Sequence, residues 1–210
     1  MTVPPQRAEP VSRQEQRRAE TRRRLAEAAR DLFAEQGVEA TRINQITERA
    51  DVGFGSFYNY FADKDAIVEA VLRENAEAYA TAIDEATAGI DDPAEVIAVA
   101  HRHLIRRAQV DSTFAWLMVR LDVSHRLLVE VFATRGSRDL QAGIDGGRFV
   151  VTDLVVTLYG MGGALVAVMR SVLDGVAPAD VDVHHAANVL RMLGLDAAEA
   201  VAVASRPFPL

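Results

Sequence analysis

Residues 53–64 read GFGSFYNYFADK, and this short segment decides how the N-terminal part of the chain folds. It holds five aromatic residues within eight positions, in a chain that has eight Phe, four Tyr and one Trp altogether. Phe57 and Phe61 are four residues apart, so on a helix they share one face and can close a small core. Tyr58 and Tyr60 then point elsewhere, and their rings and hydroxyls suit phosphate oxygens, sugars and thymine methyl groups. The segment therefore predicts a small hydrophobic core that leaves two or three rings outside.

Two helices are predicted upstream of this segment. The first is amphipathic and runs from Arg17 to Gln36, where Gly37 ends it. Its apolar residues, at i, i+3, i+4, i+7 and i+8, are Leu25, Ala28, Ala29, Leu32 and Phe33. Thr41 is expected to cap the second, short helix by accepting from the backbone of its first turn. A third helix is expected over 54–60, which completes a helix-turn-helix unit whose last helix suits a DNA major groove.

Residues 23–72 resemble the N-terminal DNA-binding domain of TetR-type transcriptional regulators. The positions that match the family's pattern are Ala28, Ala29, Leu32, Phe33, Gly37, Thr41, Ile46, Val52, Gly55, Ser56, Phe57, Tyr58, Phe61 and Lys64. This resemblance implies a helix-turn-helix domain over 14–62 and a helical ligand-binding and dimerisation domain over 63–210. Residues 1–13 contain three prolines and several charges, so a disordered arm is expected there.

The resemblance also implies which residues contact DNA. Lys64 and Thr41 match phosphate-binding positions of the family, and Tyr58 matches a DNA-contacting tyrosine. Asn44 matches a position that often touches a base, and asparagine pairs best with adenine. Phe54 replaces a polar residue, and it either presses on a thymine methyl group or packs inward. The full expected set is Thr41, Arg42, Asn44, Phe54, Gly55, Ser56, Tyr58, Asn59, Tyr60 and Lys64.

The distribution of charge agrees with a DNA-binding N-terminus. The chain carries a net charge of −7, yet residues 1–24 hold seven arginines against three acidic residues. A basic end on an acidic body indicates a polyanionic partner, although a solvated arm would have the same composition. Phosphate attraction, and hence strong salt dependence of binding, is expected from Arg17, Arg18, Arg22, Arg23 and Lys64.

The remainder of the chain reads as helical, with about nine helices in all and no convincing strand. Asp63 is expected to cap a long helix, and the Asp92–Pro93 pair marks the start of another. A clear break is expected at GIDGG, residues 143–147. The predicted helices of this part cover about 64–87, 93–109, a segment opened by Asp111 and Ser112, 123–142, 148–174 and 181–194.

The family resemblance implies a cavity for a small apolar ligand. The candidate lining residues are Tyr79, His103, Phe114, Trp116, Met118, His125 and Tyr159. Plain core is the commoner role of such residues, and pockets share the composition of cores. The spacings of His101 with His103 and of His184 with His185 do not let either pair share a metal ion easily. With no cysteine and no readable pairing of a nucleophile with a base, no metal, no cofactor and no enzymatic activity are expected.

A second apolar signal predicts dimerisation. Residues 154–169 are apolar nearly all round, and their sixteen residues fall short of the ~20 that cross a bilayer, so a buried helix is expected. Together with 181–194 it can form a four-helix bundle with a second chain, or an internal hairpin in a monomer. The expected interface residues are Leu158, Gly162, Leu165, Met169, Ala187 and Leu190.

Together with these features, the resemblance to the TetR family implies a ligand-responsive homodimeric repressor that binds an inverted-repeat operator. The N-terminus has no apolar segment typical of a secretory signal, so a cytoplasmic location is expected. Two alternatives stay open. One is a DNA-binding regulator or architectural protein without an inducer, and the other is a small all-α enzyme or scavenging protein that uses only the cavity.

Overall fold

The structure is a computed structural model that describes residues 12–119 and 134–208, and these residues form ten helices. The helices are α1 Arg13–Gln36, α2 Ile43–Arg49, α3 Phe54–Phe57, α4 Lys64–Thr87, α5 Pro93–Val110, α6 Ser112–Val119, α7 Thr134–Asp145, α8 Leu154–Leu173, α9 Val181–Met192 and α10 Ala197–Ala204. The all-α prediction is confirmed. The chain divides into two compact units, which meet in sequence between Val71 and Leu72.

The core of the N-terminal unit confirms the division of the aromatic cluster. Phe57 is fully buried and Phe61 is nearly so, and their ring centroids lie 5.7 Å apart. Leu25 from α1 and Ile46 from α2 are buried in the same unit. The apolar faces of α1, α2 and α3 therefore pack into one small core, as the spacing of their apolar residues predicted.

The first turn of α2 differs from the prediction. Thr41 is buried and its hydroxyl donates to the Gly37 carbonyl at 2.7 Å, so Thr41 does not cap α2. Arg42 occupies the cap position, and its backbone N–H donates to Oε1 of Gln45 at 2.8 Å. A threonine hydroxyl can bond to backbone on either side, and sequence alone does not decide which.

The end of the third helix also differs from the prediction. Helix α3 ends at Phe57 rather than Tyr60, and residues 58–60 form a turn. Asp51 adopts a positive φ of 51° at the end of α2, a conformation that aspartate tolerates better than most residues. The predicted capping of α4 is confirmed, since the Ala66 N–H donates to Oδ1 of Asp63 at 2.8 Å.

The C-terminal unit contains one apolar core to which α5, α7, α8, α9 and α10 contribute. Helix α8 begins at Leu154 instead of 148, because Asp153 caps it by accepting from the Val156 N–H at 2.8 Å. Helix α10 was not predicted. Its sequence AAEAVAVA consists mostly of small residues, and Asp196 caps it through two backbone N–H groups.

Two predicted segments fall wholly or partly outside the described residues. Of the arm over 1–13, the structure describes only Ser12, which caps α1, and Arg13, which begins it. Of the helix over 123–142, the structure describes the part within α7.

Helix α8 is the one helix, within the described residues, that is long and apolar enough to cross a membrane by length and composition. Its twenty residues exceed the sixteen read from the sequence, so the length argument against crossing was wrong. The sequence also predicted that this helix is buried, and this is wrong for the single chain. Only 22% of the most apolar 18-residue window of α8 is buried. A large apolar face of α8 therefore remains uncovered within a single chain.

Two glycines of α7 give a matched test of the packing in the C-terminal unit. A Cβ at Gly143 would clash with the buried Phe149 ring, whereas a Cβ at Gly136 would meet nothing within 4 Å. We expect Gly143→Ala to lower the free energy of unfolding by about 1–3 kcal/mol through overpacking. Gly136→Ala should be neutral or stabilising by up to about 1 kcal/mol, since alanine favours the helix. Urea unfolding of both variants checks this, and equal effects would contradict the packing of Phe149 on α7.

Candidate nucleic-acid interface and ligand cavity

The surface formed by α2, α3 and the turn after α3 exposes most of the predicted DNA contacts. The exposed members of the set are Arg42, Asn44, Phe54, Gly55, Tyr58 and Asn59, and the half-buried ones are Ser56, Tyr60 and Lys64. Thr41 is the exception, because its side chain is buried and hydrogen-bonded inside the unit. We therefore remove the side chain of Thr41 from the candidate interface.

The buried core holds the two outer rings of this surface in position. Tyr58 is 52% exposed and meets the buried Phe57 ring edge-on, with centroids 5.4 Å apart. Phe54 is 53% exposed and contacts Tyr58 in the same manner, at 5.9 Å. Of the two roles left open for Phe54, inward packing is thus wrong. Two apolar rings stand on a rigid base and face outward, where they can contact sugars and thymine methyl groups.

The arginines of α1 differ in how far their charges are already offset. Arg23 is paired with Glu20 at 2.6 Å and with Glu27 at 2.5 Å, so it contributes less to the attraction of DNA than a count of arginines implies. Arg18 donates to the Asn59 carbonyl at 3.4 Å, and Arg22 lies over the Phe61 ring at 5.0 Å. Arg18 thus connects α1 to the turn of residues 58–60, and Arg22 connects α1 to the ring that follows this turn.

A cavity of about 550 Å³ lies in the C-terminal unit between α4, α5, α7 and α8. Its size falls in the range of small-molecule sites. Most of its wall is apolar, with contributions from Ile83, Val96, Leu104, Leu140, Leu158 and Val166. An apolar body of a ligand would be removed from water on several sides here.

A small polar cluster interrupts the apolar wall. Asp84, Arg135, Asp139 and His101 all line the cavity. The guanidinium of Arg135 pairs with Oδ2 of Asp84 at 3.1 Å and with Oε2 of Glu77 at 3.4 Å. Asp84 and Arg135 are thus an ion pair within the cavity wall, whereas Glu77 pairs with Arg135 without lining the cavity. A few polar groups on an apolar surface are what fixes the orientation of a bound ligand.

Of the predicted pocket residues, Tyr159 lines this cavity. Phe114 and Met118 are buried in the core, and Tyr79 packs against Phe114 at 4.4 Å and accepts a hydrogen bond from Arg107 at 2.7 Å. His103 and Trp116 are half-buried and are not among the lining residues either, while His125 lies outside the described residues. The polar cluster was missed because acidic and basic residues on a helix are usually solvated, and no sequence pattern distinguishes these.

The predicted interface residues lie inside a single chain. Leu165, Met169, Ala187 and Leu190 are buried within the unit, so they are not available to a second chain. Leu158 and Gly162 line the cavity instead. The exposed residues of α8 include Val155, Val156, Gly160, Gly163 and Ala167, of which Val155 and Gly163 also line the cavity. The predicted residues of α8 and its exposed residues thus lie on different sides of the helix.

Across residues 12–119 and 134–208, no group of three His, Asp or Glu side chains is arranged to hold a metal ion.

Two protein-family profiles match this chain. The profile of bacterial regulatory proteins of the tetR family matches residues 25–71, and that of the tetracyclin repressor-like C-terminal domain matches residues 92–206. Among solved structures, RolR in complex with resorcinol is 38% identical with a TM-score of 0.83, over 93% of this chain and 98% of that one. RolR without ligand is 36% identical with a TM-score of 0.78.

Two named regulators are similar over part of their length. HbdR from Aromatoleum sp. (strain CIB) is 33% identical over 129 residues, which are 60% of this chain and 56% of that protein. The repressor KstR2 from Mycolicibacterium smegmatis is 32% identical over 94 residues, which are 40% of this chain and 46% of that protein. The chain thus matches about half the length of these two regulators.

Proposed function

This chain belongs to the TetR family of DNA-binding transcriptional regulators, and we propose that it is a homodimeric repressor released from its operator by a small hydroxylated aromatic ligand. Regulators of this family bind operator DNA and are not enzymes. Cytoplasmic location is part of the proposal, because the operator is the molecule that the protein must reach.

The surface around α3 supports the DNA-binding part of the proposal. Phe54 and Tyr58 are exposed, as is Asn44 in α2, whose amide can read an adenine edge in the major groove. Lys64 and the arginines of α1 supply the attraction to phosphate. Two N-terminal units, which we call the DNA-binding heads, would read an inverted repeat if a two-fold axis related them. The half-sites would then lie about one helical turn apart, ~34–36 Å.

The uncovered face of α8 supports the dimer. Val156, Gly160 and Ala167 recur at i, i+4 and i+11, so they form one stripe along the helix, and all three are exposed. Gly163 falls on the same stripe at i+7, but it also lines the cavity. Gly160 approaches Met192 of α9, so both helices border this stripe. An apolar stripe of small residues lets the same stripe of a second chain approach closely. A two-fold contact of α8 and α9 with their copies would cover it.

The wall of the cavity supports the choice of ligand. Asp84 pairs with Arg135 at 3.1 Å and Asp139 pairs with Arg138 at 3.4 Å, so each carboxylate of the cavity already has a cationic partner. A neutral ligand that donates hydrogen bonds to these carboxylates leaves both ion pairs in place and would be favoured. RolR, whose solved complex contains resorcinol, is similar over nearly its whole length. Resorcinol has an apolar ring and two hydroxyl donors, which suits a cavity of about 550 Å³ with carboxylates on one wall. This polar cluster in an apolar cavity is the observation that carries the proposal.

Resorcinol binding by isothermal titration calorimetry tests the ligand. We expect wild-type protein to bind resorcinol and Asp139→Asn to bind it about 10-fold more weakly, because a hydrogen bond to a charged acceptor is replaced by a neutral one. Asp145→Asn is the matched control, since Asp145 lies six residues further along α7, is exposed and does not line the cavity. Absence of resorcinol binding, or equal loss in both variants, would contradict the proposal and favour a regulator without this inducer.

A further inference from the structure

A seam of polar side chains joins α5 to α9 beside the cavity. Asp182 of α9 accepts hydrogen bonds from Arg102 at 3.1 Å and from Arg106 at 2.8 Å, and both Arg102 and Asp182 are buried. One turn further along α9, Nε2 of His185 lies 3.0 Å from Nδ1 of His101. Burial alone would raise the pKa of Asp182, but the hydrogen bonds of the two arginines outweigh it and lower the pKa.

His101 belongs to the seam and to the cavity at once. It lines the cavity, and its ring is half-buried, whereas His185 is buried. Among the described residues, its ring makes one hydrogen bond, through Nδ1. Nε2 is therefore the ring nitrogen available to a molecule in the cavity.

Both rings are neutral at physiological pH. Burial, with a smaller contribution from the neighbouring His185, lowers the pKa of His101 to about 3. Burial lowers the pKa of His185 to about 4. A neutral imidazole has one N–H and one bare nitrogen, so one ring of the pair donates and the other accepts. Which nitrogen of His101 carries the proton then decides whether Nε2 offers the cavity an acceptor or a donor.

We propose that His101 is a specificity-determining residue of the cavity, which hydrogen-bonds a hydroxyl of the bound ligand through Nε2 while His185 orients its ring through Nδ1. When the hydroxyl donates to Nε2, the proton of His101 stays on Nδ1 and is donated to His185. A ligand that offers only an acceptor requires the other tautomer, in which His185 donates. No net proton is gained or lost in either arrangement. The inference rests on the proposed ligand function of the cavity.

The histidine pair therefore recognises the ligand hydroxyl as a hydrogen-bond donor, and no charged imidazole is needed. It follows that ligand affinity should not change between pH 5.5 and pH 8 on account of these two groups. Asp182, the acidic group of the seam, keeps its charge in that range, because the hydrogen bonds of Arg102 and Arg106 outweigh burial and lower its pKa.

Ligand selectivity of variants tests the proposal. We expect His101→Phe to bind resorcinol about 10-fold more weakly than wild type, while its affinity for 1,3-dimethoxybenzene, which has no donor, stays within about 2-fold. His185→Gln keeps a partner for Nδ1 and should lose less than His101→Phe. His184→Phe is the matched control, because His184 is the exposed neighbour of His185 on α9 and pairs with Asp180.

A measurement on wild-type protein covers the case in which His101→Phe does not fold. In protein with ¹⁵N-labelled histidine, resorcinol should shift the Nε2 resonance of His101 and leave that of His184 in place. Resorcinol binding with no shift at Nε2, or an unchanged selectivity in His101→Phe, would overturn this inference and leave the ligand proposal intact. No resorcinol binding to wild type would overturn both.

Discussion

Replacing Tyr58 by alanine should weaken binding to an operator duplex by about 100-fold and leave the fold intact. The side chain is 52% exposed, so its removal leaves no large cavity. Each protomer of the proposed dimer would lose a contact worth about 1–3 kcal/mol at the duplex, and the two losses add. Fluorescence anisotropy with a labelled duplex measures the dissociation constant, and thermal unfolding checks the fold.

Two further variants of the head separate the roles within this surface. Tyr58→Phe keeps the ring that rests on Phe57 and should lose only about 5-fold, because one hydroxyl contact is removed. Asn44→Ala should instead reduce the preference for the operator over a scrambled duplex, since the amide reads a base edge. A dissociation constant of Tyr58→Ala within 2-fold of wild type would show that the exposed rings do not face DNA.

Val156→Glu should convert the dimer to a monomer and lower operator affinity by at least about 100-fold. Val156 is 70% exposed at the start of the α8 stripe, so a glutamate is tolerated in the single chain. Across a two-fold contact, the substitution buries two like charges without partners, which costs several kcal/mol. A monomer also loses the high effective concentration of its second head at the second half-site. Sedimentation equilibrium and the same anisotropy assay measure both effects.

Val110→Glu is the matched control for this substitution. Val110 is 78% exposed at the end of α5, away from the α8 stripe in sequence, and its replacement should change neither assembly nor DNA binding. A Val156→Glu protein that remains dimeric would show that this stripe is not the contact between chains. A wild-type protein that sediments as a monomer would contradict the dimer itself.

The N-terminal unit was readable from the sequence because its signals are local. Gly37 marks a helix end through its backbone and Asp63 through its side-chain oxygen, and the four-residue spacing of Phe57 and Phe61 places these two rings on one face. The errors there have the same local origin. Thr41 had two acceptable sets of backbone partners, and the short α3 has too few residues for periodicity to fix its end.

In the C-terminal unit, the sequence predicted where most helices lie but not which of their residues form the core, the cavity wall or an exposed face. Core, cavity wall and dimer face all use apolar residues at helical spacing, so Leu165 and Val156 look alike in the sequence although one is buried and the other exposed. The cavity's polar cluster depends on Arg135 meeting Asp84 from a different helix. Such a pairing is a property of the tertiary structure, and a single sequence carries no signal for it.

Selection of duplexes from a random DNA pool by the wild-type protein, with and without resorcinol, tests the central claim most directly. The account predicts enrichment of an inverted repeat whose half-site centres lie about one helical turn apart, ~34–36 Å, and a loss of that enrichment when resorcinol is present. Enrichment of no two-fold symmetric sequence in either condition would contradict it.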